Sequence, residues 1–184
     1  MTTVWTIGHS NRSWNEFLEL LVEFEIEVVA DVRRFPGSRR LPQYGREPLE
    51  IALRARNIGY AWLPQLGGRR RPVPGSANRA WRNASFQGYA DRMVTPEFAS
   101  GFRELLELAE ARRTAVMCAE RLWWRCHRAL LADALHVRAV EVRHIVEAGK
   151  SVAHSLTSAA RVVDGELSYA PDRATNAAIA RGLP

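Results

Sequence analysis

The residues best suited to chemistry gather in two runs, Met117-Cys118-Ala119-Glu120 and Cys126-His127-Arg128, and at two further places, His9-Ser10 and Asp31-Val32-Arg33. A thiol acts as a nucleophile only as its thiolate, which nearby positive charge and a helix N-terminus both favour. Arg125, His127 and Arg128 flank Cys126, and the apolar spacing of Leu130, Leu131, Ala134 and Leu135 predicts a helix starting near it. If that start is exposed, Cys126 is acidic, and the same end suits a phosphate held by backbone N–H groups and guanidinium together. A small, inert core residue is the alternative for either thiol. His9, Asp31, Glu120 and His127 supply the imidazoles and carboxylates that transfer protons or orient the groups that do.

Spacing also excludes some chemistries. A phosphatase loop needs an arginine six positions after its cysteine, where this chain has Trp124 and Ala132. No G-x-G-x-x-G follows a strand and no Walker loop occurs, so no nucleotide cofactor is expected. The only two cysteines are eight positions apart, which matches neither a C-x-x-C pair nor a secreted disulfide framework and points to reduced thiols. Cys118, Glu120, Cys126 and His127 lack a usual zinc-ligand spacing, so no metal is assigned.

These residues need elements to bring them together. Residues 4–7 are apolar and β-branched and read as a buried strand running into His9. Ser13 with Glu16 is a capping-box pattern ahead of a helix over about 13–25. Residues 28–30 give a second strand closed by Asp31, and a β-α-β unit is the simplest account. A second helix is marked by Leu49, Leu53 and Ile58. Residues 60–66 form a third strand, and 67–84 form a long loop rich in Gly, Pro, Asn and Arg. A short helix near 85–94 precedes a longer one announced by Thr95-Pro96-Glu97. Residues 114–118 and 140–146 supply the fourth and fifth strands, and 162–169 reads as a hairpin around Asp164-Gly165. The expectation is one α/β domain over 1–184, three-layered, with a mostly parallel sheet flanked by helices. Its core covers about 1–150 and a C-terminal extension 151–184. Ligands of such sheets bind beyond the carboxyl ends of the strands, where these unusual residues fall.

The formal charge of +6 is uneven: residues 31–92 carry thirteen arginines against four acids, or +9, which leaves −3 elsewhere. Local positive potential attracts phosphates, nucleotides or nucleic acid. Lys150 is the single lysine, so part of this arginine content reflects compositional bias. With no signal-peptide pattern and no run of eighteen apolar residues, a cytoplasmic protein without membrane contact is expected.

The chain resembles the bacterial and archaeal family called domain of unknown function 488. The likeness rests on Thr6-Ile7-Gly8-His9-Ser10, Asp31-Val32-Arg33 with Pro36, Ser38 and Arg39, Tyr60 with Leu63-Pro64 and Leu66-Gly67-Gly68, and Phe86 with Tyr89-Ala90 and Met93. It continues through both cysteine runs to His144-Ile145, His154-Ser155-Leu156-Thr157 and Ala160-Arg161. The resemblance implies an α/β domain with a shared polar site and no agreed reaction, and some similar proteins carry a DNA-repair label. Leu122-Trp123-Trp124 departs from the family, which is often poorer in aromatics there and carries a proline.

The leading expectation is an enzyme acting on a phosphate-containing substrate, a nucleotide or nucleic acid. Ser10, Arg33, Arg39, Arg69, Arg125 and Arg128 would bind it; His9, Asp31, Cys118, Glu120, Cys126 and His127 would form the catalytic set. One alternative is a non-catalytic nucleic-acid-binding module using Arg69, Arg70, Arg71, Arg79 and Arg82 with Trp81 or Trp123. Another is a thiol-based redox or transfer protein.

Overall fold

A computed structural model describes residues 2–37 and 39–171. Five parallel strands, β1 (Thr3–Gly8), β2 (Val28–Asp31), β3 (Gly59–Trp62), β4 (Thr114–Cys118) and β5 (Glu141–Glu147), are joined by an antiparallel edge strand β6 (Lys150–Ala153), in the order β3-β2-β4-β1-β5-β6. Helices α1 (Trp14–Glu23), α2 (Arg46–Arg54), α3 (Ala84–Met93), α4 (Pro96–Ala111) and α5 (Arg128–Val137) make the connections.

The β1-to-β2 and β2-to-β3 connections step one way along the sheet, and β3-to-β4 and β4-to-β5 step the other way. Right-handed crossovers therefore put α1 and α2 on one face and α3, α4 and α5 on the other. Strand alternation sorts the core to match: Trp5, Ile7, Val29 and Met117 pack with α1 and α2, while Val4, Ala30, Val116 and Cys118 pack with α3 to α5. The expected three-layer α/β domain with a mostly parallel sheet is what forms.

Local chemistry sets the helix starts. Ser13 and Glu16 bond each other's backbone N–H groups in a capping box, and Thr95 Oγ1 accepts from Phe98 N ahead of Pro96. Three boundaries differ from the sequence reading. The third strand stops at Trp62, because Pro64 has no N–H to donate and opens a 3₁₀ turn over Pro64–Leu66. The second helix ends at Arg54, ahead of Asn57 at φ 58°. The last helix starts at Arg128 rather than Cys126, since a 3₁₀ turn over Trp123–Arg125 draws Cys126 N to Trp123 O.

The hairpin of β7 (Arg161–Val163) and β8 (Glu166–Ser168) turns at Asp164 and Gly165, both at positive φ. Two positive φ values in a two-residue turn match the strand twist. Tyr169 anchors this segment by accepting from Ala80 N and donating to Asp133. Ser38 and residues 172–184 lie outside the described residues. Among those described, no helix is long and apolar enough to cross a membrane.

Candidate active site

The connections leaving the neighbouring strands β1 and β4 run in opposite directions, and such a switch point opens a crevice between the loops at the carboxyl ends. A cleft of about 380 Å³ lies at this end, lined by Arg33, Arg34, Phe35, Gly68, Arg69, Ser85, Phe86, Cys118, Ala119, Glu120, Arg125, Cys126 and His127. His9 N and Ser10 N bond Cys118 O and Ala119 O, continuing the β1–β4 pairing past the strands and holding the Cys118–Glu120 run against β1.

One end of the cleft is sulfur. Cys118 and Cys126 are free thiols, largely buried yet lining the cleft, and Cys126 Sγ lies 3.5 Å from His127 Nδ1. Hydrogen bonding to Cys126, then burial, pushes the Cys118 thiol up. The same bond from Cys118, aided by His127 and Arg128, brings Cys126 down against the effect of its burial. Of the two thiols, Cys126 is thus the one whose ionisation the surroundings favour.

Behind the cleft Arg33 sits in a cage. Asp31, fully buried, accepts from Arg33 Nε and Nη2 at 2.8 and 2.6 Å and from the Tyr60 hydroxyl at 2.7 Å. Arg33 Nη1 donates to Tyr44 O at 2.7 Å and meets His9 Nε2 at 3.3 Å. His9 stacks on the Tyr44 ring 4.1 Å away, with Nδ1 2.9 Å from Ser10 O. A carbonyl only accepts, so Nδ1 carries the proton and Nε2 offers its lone pair to the guanidinium. Burial and Asp31 oppose each other on Arg33 and act together on Tyr60. Arg33 is desolvated yet held above its ordinary pKa by Asp31, while burial and Asp31 push the Tyr60 hydroxyl well up.

Of the residues expected from the sequence, Arg33, Arg69, Cys118, Glu120, Arg125, Cys126 and His127 line the cleft, and His9, Asp31 and Arg128 do not. Arg128 points inward at 1 % exposure. Its Nη2 bonds Glu120 O and, at 3.3 Å, Arg121 O, while Nη1 reaches Thr6 Oγ1 at 3.4 Å. With Nη2 on the loop after β4, Nη1 turned to Thr6 and Nε buried without a partner, Arg128 clamps that loop from inside and presents no fork to the cleft. Ser10 and Arg39 lie outside the cleft; the Ser10 hydroxyl turns to Asn11. Sequence reasoning missed Arg34 and Phe35 on the rim, and Tyr44 and Tyr60 behind it. An aromatic residue inside a polar loop, as at Tyr44, is the one signal that could have pointed there.

A second polar row runs inward from Arg128. Thr6 Oγ1 lies 2.7 Å from His144 Nδ1, His144 Nε2 lies 3.1 Å from His154 Nδ1, and His154 Nε2 lies 3.0 Å from Asp133 Oδ1. Asp133 also accepts from Thr157 N, Thr157 Oγ1 and Tyr169 Oη. Trp123 stacks flat on His144, 3.9 Å away.

Two of these histidines resist protonation. Burial and then Arg33 lower His9 from the ordinary 6.5 to about 4; burial, His154 and Arg128 lower His144 to about 3. In the unfolded chain both take up protons near 6.5, so below that pH the unfolded state binds protons the folded state refuses. Stability then falls as the pH drops, and the loss levels off once the folded values are passed. His9 alone accounts for about 3 kcal/mol of this. Urea midpoints should therefore decrease steadily from about pH 7 to about pH 4, and less steeply in His9→Asn. A flat profile in the native chain would contradict the neutral assignment of both rings.

The family described as Domain of unknown function DUF488 matches residues 13–135, from the capping box of α1 to the last turns of α5. No curated protein matches the chain, and no solved structure does.

Proposed function

Because the chain belongs to the DUF488 family, whose description names no reaction, we propose from the site itself that it is a cytoplasmic enzyme acting on a phosphate-bearing substrate. The observation that carries this reading is the cleft's composition: four arginines and a single carboxylate, Glu120, around a closed end of two thiols and an imidazole. Arg34, Arg69 and Arg125 are exposed at the rim, where guanidinium forks can swing onto phosphate oxygens in two-point contact. Arg33 contributes fixed positive charge from behind. Glu120 is the acid or base with access to the cleft, while His9, with both ring nitrogens engaged, positions Arg33. The substrate's reacting atom is delivered to the sulfur end.

A neighbouring groove of about 410 Å³ shares Arg34 and Arg69 with the cleft and adds Arg70, Arg71 and Arg92. That continuity favours, as a second reading, a substrate with several phosphates in line, such as a nucleic-acid strand.

Binding of pyrophosphate, a nucleoside monophosphate and a short single-stranded oligonucleotide tests both readings. The double variant Arg69→Gln/Arg125→Gln should bind the preferred probe roughly tenfold or more weakly, given the strength of charge-assisted hydrogen bonds. Its urea midpoint should stay put, because both side chains are exposed. Equal affinity in variant and native chain would remove the phosphate site. If the strand reading holds, the oligonucleotide binds tightest and its affinity drops steeply with salt.

A further inference from the structure

We propose that Cys118 Sγ, Cys126 Sγ and His127 Nδ1 form a three-ligand seat for a zinc ion, with the fourth coordination position open to the cleft. The inference deepens the function proposed above by naming the group at the reacting end. Its geometry is independent of the arginines.

Three observations carry it. The ligand atoms of Cys118, Cys126 and His127 all lie within 4.8 Å of one another, and theirs is the one such cluster of three among the described residues. A tetrahedral zinc with bonds of ~2.1–2.3 Å to nitrogen and sulfur has ligand-to-ligand edges of ~3.7 Å. Cys126 Sγ and His127 Nδ1 already stand 3.5 Å apart, and small side-chain rotations bring the third atom in. The metal-ligand pattern was invisible as a spacing motif because the three donors come from a strand end and from the residues just ahead of α5.

The second observation is the state of His127. Its Nε2 is buried with no hydrogen-bond partner, and its Nδ1 meets only a sulfur. An Nδ1 lone pair that meets only a sulfur is a poorly used acceptor, and a metal there would take it up while the proton stays on Nε2. The chain keeps room for the ring. A Cβ on Gly68 would come within 2.5 Å of Nδ1, so the glycine leaves the ring the space it occupies between the 67–71 loop and Tyr89, whose ring lies 5.0 Å away.

Third, the surroundings suit thiolate ligands. Two thiolates and one zinc sum to no net charge, which a largely buried end tolerates. All three ligands line the cleft, so the remaining position faces the space where a substrate would lie. A zinc with three protein ligands keeps that position for water or a substrate oxygen, acidifying the one and polarising the other.

The test uses the full chain, reduced, stripped with a chelator and titrated with Co²⁺ and then Zn²⁺. The expected result is one Co²⁺ per chain, with a near-ultraviolet thiolate charge-transfer band and the visible absorption of tetrahedral cobalt, both abolished by stoichiometric Zn²⁺. Cys118→Ser and Cys126→Ser should each weaken zinc binding by at least ~100-fold, beyond the usual cost of losing an outer partner. Gly68→Ala keeps all three ligands but displaces the His127 ring; it should weaken binding about tenfold with the charge-transfer band intact. This variant keeps the test decisive if a cysteine variant fails to fold. Absence of the cobalt bands in the reduced native chain overturns the proposal. So does binding that is unchanged in both folded cysteine variants, or a Cys118–Cys126 disulfide in a chain that binds no metal once reduced. Failure here leaves the response of phosphate binding to Arg69→Gln/Arg125→Gln untouched, and failure of that response leaves the cobalt spectrum untouched, so the two readings fall separately.

Discussion

Asp31→Asn should lower the unfolding free energy by about 3–5 kcal/mol, the cost of breaking a buried ion pair from one side. The substitution preserves shape and removes charge. Arg33, 7 % exposed, would keep its cation with no anion in reach, since the remaining contacts of Nη1 are a carbonyl and a neutral imidazole. The retained oxygen still accepts, but an NH2 in place of Oδ2 faces Arg33 Nη2 and the Tyr60 hydroxyl, and one in place of Oδ1 faces Arg33 N and Nε, all of which donate to Asp31 in the native chain. Urea unfolding at neutral pH measures the loss, and a change below about 1 kcal/mol would mean that the pair contributes no more than an exposed one. Tyr60→Phe removes a single hydrogen bond to the same carboxylate and should cost only about 1–2 kcal/mol. The contrast between the two variants separates the charge from the bond count.

Gly8→Ala should cost at least about 4 kcal/mol or prevent folding outright, among the largest effects a single methyl group can have. A Cβ at Gly8 would stand 2.0 Å from Glu120 O, 2.7 Å from Glu120 C and 2.8 Å from Arg121 Cα. These are backbone atoms with little freedom to retreat: Ser10 N holds Ala119 O, and Arg128 holds Glu120 O. Displacing them also moves Cys118 and Glu120 at the cleft. Gly165→Ala is the control, since nothing lies within 4 Å of that position. Its left-handed φ of 81° limits the damage to about 1 kcal/mol of turn strain. Comparable urea midpoints for the two variants would show that the close approach at Gly8 is not what excludes a side chain.

The layering and the starts of α1 and α4 were legible because they rest on local rules: buried apolar strand runs, a Ser13–Glu16 box, a Thr95-Pro96 start. The strand-end residues could be named for the same reason, since each follows an apolar run. Their depth could not. In an extended segment Arg33 and Arg34 point opposite ways, and only the pairing of β2 with β3 and β4 decides that Arg33 turns onto Asp31 while Arg34 reaches the cleft rim. Arg125 and Arg128 pose the same problem across the start of α5. The edge strand β6 went unread because its residues, Lys150-Ser151-Val152-Ala153, are mostly exposed and show no apolar alternation. Nor could spacing reveal partners such as Thr6 and His144, which lie 138 positions apart.

The row from Arg128 to Asp133 is wired as a circuit. With both imidazoles neutral and Asp133 able only to accept, His154 Nε2 donates to it, His154 Nδ1 accepts from His144 Nε2, His144 Nδ1 from the Thr6 hydroxyl, and Thr6 Oγ1 from Arg128. Every dipole along the line has the same sense, with a cation at its head and an anion at its tail, neither more than 1 % exposed. The two charges never touch, yet each is screened by an ordered string of hydrogen bonds in place of water, and aligned bonds of this kind strengthen one another. Such a line has no half-formed state. Turning one imidazole around would set donor against donor on one side and leave a lone pair facing a lone pair on the other. The chain's interior therefore holds a single electrical orientation, tying the loop over the cleft to the far side of α5 through β1, β5 and the residue after β6.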